Sequence, residues 1–491
     1  MYVDNMCDVK EELKTVEFVC TTADIWSGRR RSFFGVTAHW ITPNLKRKSA
    51  ALACRRFPGM HAFDKITELL HNIHAEFGLN GEKIVATITD NASNFAKAFK
   101  IFGVKETSIE PEAEEDYTSA SSSDSSTEED DEEEESAINK CGVIDLLPRH
   151  IRCSAHTLNL CATTDMMQAI KKNEGLSIIH NDLLHKCNIF WKAAMRPKSA
   201  EVIQQTIGHA LKRPGETRWN SLYDSLKQIV QIKDKLNDLG KSLGFKNSLK
   251  ENDFIYLEEH LECTAPIAEA IDILQADNIF YGTLLPCLLS LDRKLTKLAD
   301  SQWKFCGPIS ICLRDSFQRK FIAYLKFLKP EADYAALAAL THPQFKNKWL
   351  KFILEYHRNR LLDLFKNAIA TELQCNEEYV ISTPQPSSTQ DNCFDFEDDT
   401  TQNVATEYSA KAELEVLHFF QERSTEYTIL EKYAAIKKIF LKFNTPLPSS
   451  APVERLFSYA TITNSPKANR LSDSMFQRRP KTMGSFTGPG T

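Results

Sequence analysis

The order of strand-like and helix-like segments is the sequence feature that most limits the folds available to this chain. Three apolar or alternating runs with short connections open the sequence, at residues 16–23, 32–41 and 49–57. This spacing favours an antiparallel meander. A helical repeat follows over 61–78, the run KIVATITD at 83–90 is strand-like, and Asn91 begins a capped helix. HIRCSAHTLNLC at 150–161 is typical of a short strand running into a helix. The sequence therefore predicts an α/β core, a mixed sheet with helices on its faces.

A second region, from about residue 165 to 445, is almost entirely helical in pattern. One apolar stripe consists of Leu226, Ile229, Val230, Ile232, Leu236 and Leu239, and another of Leu284, Leu285, Leu288, Leu289, Leu291 and Leu295. Residues 376–406 are polar and rich in Pro, Ser and Thr, which predicts a disordered loop. We therefore expect a large helical domain after the first part of the core.

The net charge is −6, but the acidic residues are unevenly distributed along the sequence. Residues 110–135 hold fourteen acidic residues and no Lys or Arg, which leaves 60 basic against 52 acidic residues, or +8, elsewhere. A mildly basic body fits a nucleic-acid partner. The acidic stretch, taken as 110–136, is interpreted as a solvated and disordered loop. The 13 cysteines form no CxxC pair, which favours reduced thiols inside the cell. No apolar run reaches the ~18 residues of a membrane span, so no membrane partner is expected.

Two aspartates follow strand-like runs. Asp24 follows the first run and Asp90 ends the fourth. Because side chains at strand ends of an α/β sheet converge on ligands, neighbouring strands could bring these carboxylates close enough to share a divalent cation. Mg²⁺ prefers such hard oxygen ligands. Each aspartate also has a structural interpretation, since Asp24 could cap a turn and Asp90 is a reasonable helix N-cap.

Five blocks occur in a specific order: TTADIWSG at 21–28, TITDNASNF at 87–95, RCSAHTLNL at 152–160, ETRWNSLYDSL at 216–226 and SSAPVERLFSYATI at 449–462. Together they resemble the signature blocks of hAT-family transposases and their domesticated relatives, and LTHPQFK at 340–346 resembles a further block of the helical region. The resemblance implies a ribonuclease H-like core interrupted by a large all-helical insertion. It also implies that Asp24, Asp90 and Glu454 are catalytic ligands of Mg²⁺ or Mn²⁺. Taken by itself, Glu454 is a carboxylate at a helix start.

The expected domains follow from the resemblance and the patterns together. Residues 17–165 are the first part of the core, 166–445 the helical insertion, 446–476 the final core helix with the family's C-terminal dimerisation region, and 477–491 a disordered tail. Leu456, Phe457 and Tyr459 are the predicted dimerisation residues, although their apolar character also suits packing against the core. The polar tail departs from the family's helical ending, which puts full dimer closure in doubt.

Three further residues are predicted to contact DNA. The resemblance implies that Trp219 stacks on a flipped base, which can contribute ~1–3 kcal/mol, and the neighbouring Arg218 could contact a phosphate. The alternative for Trp219 is a buried core anchor. His156 is expected to form a hydrogen bond or face a phosphate, with Cys153 in the core. The spacing H-x2-C-x2-H-x4-C from His150 to Cys161 is not a usual zinc pattern, so no structural zinc is expected.

Three functions fit the sequence. The first is a domesticated, transposase-derived nuclear protein that binds DNA or chromatin proteins and dimerises. The second is an active DNA transposase core, a metal-dependent nuclease that cuts and transfers strands with its intact triad. The third is a protein-interaction scaffold. The first is preferred, because the sixteen or so residues before the first strand lack the Cys and His set of a BED zinc finger, and the acidic loop would repel phosphates. Nuclear placement comes mainly from the resemblance.

Overall fold

The computed structural model describes residues 2–28, 31–104, 147–215, 220–245, 249–328, 330–378 and 400–463. Chain contacts divide it into two compact units. Unit 1 comprises Met1–Cys153, Asp277–Pro286 and Lys326–Thr491, and unit 2 comprises Ser154–Ala276 and Cys287–Leu325.

The helices follow one another along the whole described chain. In chain order they are α1 (Tyr2–Thr15), α2 (Phe63–Glu76), α3 (Ser93–Phe102), α4 (Ser154–Leu160), α5 (Met166–Lys172), α6 (Glu174–Ala193), α7 (Pro197–Ile207), α8 (Ser221–Gln231), α9 (Lys233–Ser242), α10 (Glu251–Leu274), α11 (Leu284–Ala299), α12 (Gly307–Lys320), α13 (Ile322–Leu325), α14 (Glu331–Thr341), α15 (Glu355–Glu378), α16 (Thr400–Gln421), α17 (Ala434–Asn444) and α18 (Ala451–Thr463). A π-helical turn, Cys161–Asp165, joins α4 to α5.

Unit 1 is organised around a five-stranded mixed sheet. Its strands are β1 (Val19–Gly28), β2 (Arg31–Ile41), β3 (Arg47–Arg56), β4 (Ile84–Thr89) and β5 (His150–Arg152). Their order across the sheet is β3-β2-β1-β4-β5. The first three strands form an antiparallel meander, whereas β4 pairs parallel to β1 and β5 pairs parallel to β4. Two parallel strands must be joined by a crossover connection, usually a helical one. In this sheet α2 lies in the connection from β1 to β4, and α3 lies in the connection from β4 to β5.

The two faces of the sheet bury different helices, because successive side chains of a strand point to opposite faces. One face packs against α1, α2 and α3 through a large apolar cluster that includes Val19, Ala23, Val36, Ile66, Leu70 and Phe95. The other face packs against α18 through a smaller cluster of Phe33, Ala51, Cys54, Val453, Leu456 and Phe457. The last helix of the described residues therefore packs directly on the first strands of the chain.

A half-buried arginine fixes the segment that leads into α18. Arg47, at the start of β3, donates from Nη1 to the carbonyl of Thr445 (2.8 Å) and from Nη2 to those of Asn444 (2.5 Å) and Pro446 (3.4 Å). Its guanidinium also lies 5.1 Å from the ring centroid of Phe280. Burial lowers the pKa of Arg47 to about 10, so the group is still a cation at neutral pH. It neutralises the carbonyl end of α17, where a positive charge is favourable, and ties that end to the sheet.

All secondary-structure elements in the described part of unit 2 are helices. Its longest helix, α10, continues through Pro266, and Asn220, just before α8, donates to the Ala268 carbonyl (2.8 Å) and to Asp272 (2.8 Å) on it. Deep in this unit His180 Nδ1 lies 2.8 Å from the Tyr256 hydroxyl. The eleven described cysteines form no disulfide.

The structure confirms the coarse fold prediction and corrects some boundaries. The sheet is mixed and flanked by helices, and the described residues of 166–445 add no strand to it. The first strand continues past Asp24 to Gly28, because β2 keeps pairing with it there. The predicted disordered loop at 376–406 is too long, since α15 extends to Glu378 and α16 begins at Thr400. Polarity alone does not separate a solvated helical turn from a loop. The acidic loop at 110–136 and the tail at 477–491 both lie entirely outside the described residues.

Candidate functional site

Asp24 and Asp90 lie just beyond the parallel pairing of β1 and β4, close enough for their charges to interact. The parallel pairing of β1 and β4 ends at Thr22 and Ile88. Two residues further along each strand direction are Asp24 and Asp90. The period of two places Asp24 on the same face as Thr22. It is also the face of Gly35, the β2 residue that pairs with Asp24. Both aspartates are half-buried.

Glu454 reaches this face from the first turn of α18. Its Oε1 accepts a hydrogen bond from the hydroxyl of Ser450 (3.2 Å), one turn earlier. The amides of Val453 and Ala451 bond to the Ser450 carbonyl (3.1 Å) and the Ser449 hydroxyl (3.0 Å), which caps the helix start. Ser450 is fully buried and its own amide donates to the Cys153 thiol (3.2 Å), just after β5. The contact with Cys153 thereby holds the helix start beside the end of β5.

Gly35 allows α18 to come this close. A Cβ on Gly35 would lie 2.6 Å from Cζ of Phe457 and 2.8 Å from Cγ2 of Val453. Contacts this short do not occur between real side chains, so only a residue without a side chain fits under the helix. Because Gly35 pairs with Asp24, the same close approach that needs a glycine also brings the helix over Asp24.

The three carboxylates influence one another electrostatically. Burial is the main cause that raises the pKa of Asp24 well above its ordinary value, and the negative charges of Asp90 and Glu454 raise it further. Burial and the charge of Asp90 raise the pKa of Glu454 to about 7, against the opposing hydrogen bond from Ser450. Three carboxylates from separate parts of the sequence thus repel one another at one edge of the sheet. Such clusters mark functional sites more often than chance.

One oxygen of each carboxylate accepts a hydrogen bond from a residue close to it in the sequence. Asp24 Oδ1 accepts from the amide of Ile25 (2.7 Å), Asp90 Oδ1 from the amide of Ala92 (3.1 Å), and Glu454 Oε1 from Ser450. The second oxygen of each has no hydrogen bond within the described chain. The described residues contain no set of three His, Cys, Asp or Glu side chains grouped tightly enough to hold a metal ion as they stand. The donor chemistry, hard oxygens at a partly buried edge, nevertheless fits Mg²⁺ or Mn²⁺, and a bound cation would remove the mutual repulsion.

The other predicted residues have different positions. His156 is a half-buried residue of α4, in unit 2. Arg218 and Trp219 lie outside the described residues, as does the side chain of Tyr459. Leu456 and Phe457 are buried within this same chain, against the sheet.

Sequence reasoning missed three residues that build the site: Gly35, Arg47 and Ser450. Gly35 lies inside a strand, where an isolated glycine signals a close backbone approach. The isolated glycine at position 35 is therefore a local sequence signal for this close approach. Ser450 stands four residues before Glu454, a spacing that brings side chains together on a helix. Arg47 has no local signal, because its carbonyl partners lie about 400 residues further along the chain.

Comparison with known families and with curated proteins gave no match to this chain. The fold and the site therefore have to be interpreted from their own geometry. A separate finding concerns membranes: no helix among the described residues has both the length and the apolar character needed to cross one.

We expect divalent metal to stabilise the protein more at alkaline than at acidic pH. A carboxyl whose pKa is raised in the folded state binds its proton more tightly there than in the unfolded chain. Its contribution to stability is therefore present below the unfolded value, 4.5 for Glu454, and is lost as pH rises to about 7. Mn²⁺ competes with that proton, so the rise in melting temperature on adding Mn²⁺ should be larger at about pH 8 than at about pH 5.5.

The matched variants for this measurement are Glu454→Gln and Glu68→Gln. Glu454→Gln should remove most of the metal-induced rise in melting temperature. Glu68 is exposed on α2, so its substitution should leave that rise unchanged. An equal metal response of both variants would show that Glu454 does not bind the ion.

Proposed function

We propose that this chain is the DNA-processing core of a protein derived from a hAT-family transposase, with a ribonuclease H-like sheet at its centre. The strand order β3-β2-β1-β4-β5, with an antiparallel meander followed by two parallel strands, supports such a core. The five ordered sequence blocks support the family. The observation that carries the proposal is geometric: Asp24 and Asp90 follow the paired parts of two neighbouring parallel strands, and Glu454 lies on the helix that packs over Gly35, the residue paired with Asp24.

The proposed reaction is cleavage of DNA phosphodiester bonds. Mg²⁺ or Mn²⁺, when bound, supplies Lewis-acid polarisation of the phosphate and a more acidic water. Asp24 and Asp90 would hold the ion from the sheet, and Glu454 would hold it from α18. The Ile25 amide, the Ala92 amide and the Ser450 hydroxyl each fix one oxygen of these carboxylates, which leaves the other oxygen for the ion. Orientation by such partners is typical of metal sites.

A domesticated protein that binds DNA without cutting it is the second candidate. The acidic segment favours it, because fourteen negative charges lie in the sequence between Asp90 and β5. Such a segment opposes the approach of a phosphate backbone. Nuclear location, chromatin partners and self-association belong to this proposal through the family resemblance alone.

The deciding experiment is strand cleavage by the intact chain. The substrates are DNA duplexes that carry candidate terminal inverted repeats, with Mg²⁺ or Mn²⁺ and with a chelator as the control. Metal-dependent nicks at the repeat ends would support the active core. Salt-dependent DNA binding without nicks would support the domesticated protein. No DNA affinity even at low salt would contradict both and leave a protein-interaction scaffold.

A further inference from the structure

Five exposed basic residues come together at the turn between α6 and α7 in unit 2. We call them the α6–α7 basic patch: Lys192, Arg196, Lys198, Lys212 and Arg213. Lys192 is in the last turn of α6, Arg196 precedes α7, and Lys198 is in its first turn. Between residues 192 and 213 the only acidic residue is Glu201, so this surface is strongly positive.

The fold returns the chain to this turn after α7. Gly208, with a φ of 88°, ends the helix in the left-handed conformation that favours glycine. Arg213 Nη1 then lies 2.8 Å from the sulfur of Met195, a largely exposed residue in the α6–α7 turn. Arg213 and the α6–α7 turn are separated by the whole of α7 in the sequence, but this contact places them on one surface.

A buried glutamine fixes the second half of the patch. Gln228 of α8 accepts the Lys212 amide on its side-chain oxygen (2.6 Å) and donates to the Ala210 carbonyl (3.0 Å). Its side chain is buried and also lies 3.0 Å from His209 Nδ1. The backbone that carries Lys212 and Arg213 is thus held in place before any partner arrives, which lowers the entropy lost on binding.

Among the described residues, the patch cations have no acidic partner. None of its five cations forms an ion pair with another described residue, whereas Lys186, Lys233, Lys241 and Lys294 of the same unit all do. Uncompensated exposed cations at a preorganised turn are the chemistry that neutralises backbone phosphates.

We propose that the α6–α7 basic patch is a DNA-backbone contact surface, separate in sequence from the carboxylate site. The inference deepens the proposed function and rests on its choice of DNA as the partner. Arginine and lysine on this surface bind phosphates without reading bases, so the contact is independent of sequence and strengthens binding at low salt.

The test compares two double variants of the full chain in a metal-free buffer with a chelator. The patch variant is Lys212→Ala/Arg213→Ala, and the control is Lys241→Ala/Lys294→Ala, which removes equal charge from ion-paired positions of the same unit. Binding of a labelled duplex of arbitrary sequence is measured over a series of salt concentrations. The patch variant should bind roughly tenfold more weakly at low salt, and its salt dependence should be shallower by about 2, since each lost phosphate contact contributes about 0.9.

Charge-preserving and folding controls sharpen the result. Lys212→Arg/Arg213→Lys should bind like the original chain, and both alanine variants should keep its melting temperature because all four positions are at the surface. Equal affinity of the patch and control variants would overturn the proposal, as would no DNA binding by the intact chain. The proposed chemistry at the carboxylates is judged separately by metal-dependent cleavage and melting, so a failed patch and a failed metal site are distinguishable.

Discussion

If the chain cleaves DNA as proposed, Asp24→Asn, Asp90→Asn and Glu454→Gln should each abolish that metal-dependent cleavage. Each substitution keeps the side-chain volume and removes one anionic oxygen donor. Loss of one donor weakens both the binding of the ion and the stabilisation of the leaving oxygen. We expect a fall of at least about 10²- to 10³-fold, the loss seen when one group that stabilises developing charge is removed. The measurement is the single-turnover rate of nicking at saturating metal.

The same variants should remain folded and bound to DNA. Burial and like charge disfavour the ionised form of Asp24, so an amide there should leave the melting temperature equal or raise it. DNA affinity should stay equal or increase, because negative charge near the phosphates falls. Asp64→Asn, at an exposed position of α2, is the control for loss of one carboxylate. A triad variant that cuts at the rate of this control would exclude that residue from the chemistry.

The sheet was the most predictable part of the molecule. Strand-like runs and short connections are local signals, and they located the meander and β4. Because the strands that precede Asp24 and Asp90 were expected to end at the same edge of the sheet, the proximity of these two aspartates could also be predicted. The length of β1 was less predictable, because its continuation past Asp24 depends on the pairing of Trp26 with Phe33 and of Ser27 with Ser32, which are contacts with another strand.

Glu454 could be identified only through the family resemblance. Its local sequence indicates a helix start and nothing more. Its position over the sheet depends on three tertiary interactions: Gly35 under the helix, Ser450 against Cys153, and Arg47 on the preceding carbonyls. No periodicity in the sequence encodes contacts between segments this far apart.

The apolar stripe of α18 shows a related difficulty. Leu456 and Phe457 suit a dimer interface as well as a core, and the sequence left both open. In the structure both side chains are buried in their own chain. The ring of Phe457 stacks on Trp26 with centroids 6.2 Å apart. A charged substitution such as Phe457→Asp would therefore measure folding rather than self-association.

Gly35→Ala should separate α18 from the sheet and uncouple Glu454 from the aspartates. The added Cβ would lie 2.6 Å from Cζ and 2.8 Å from Cε1 of Phe457, so the helix or the ring must move. Overpacking of this kind costs ~1–3 kcal/mol. We expect a lower free energy of unfolding, a weaker rise in melting temperature on adding Mn²⁺ and slower cleavage. A single methyl group that is not itself a metal ligand would cause all three changes.

A second substitution can restore the space. Phe457→Leu removes the ring atoms that the new methyl group would meet, so Gly35→Ala/Phe457→Leu should be more stable than the sum of the two single changes predicts. Residues in contact give such couplings of about 0.5–3 kcal/mol in a double-mutant cycle. Gly240→Ala is the control, because a Cβ there would have an ordinary 3.8 Å contact with Phe190. Gly35→Ala with unchanged stability and metal response would show that α18 does not depend on this close approach. Simple additivity of the two changes would show that Phe457 is not the group in the way.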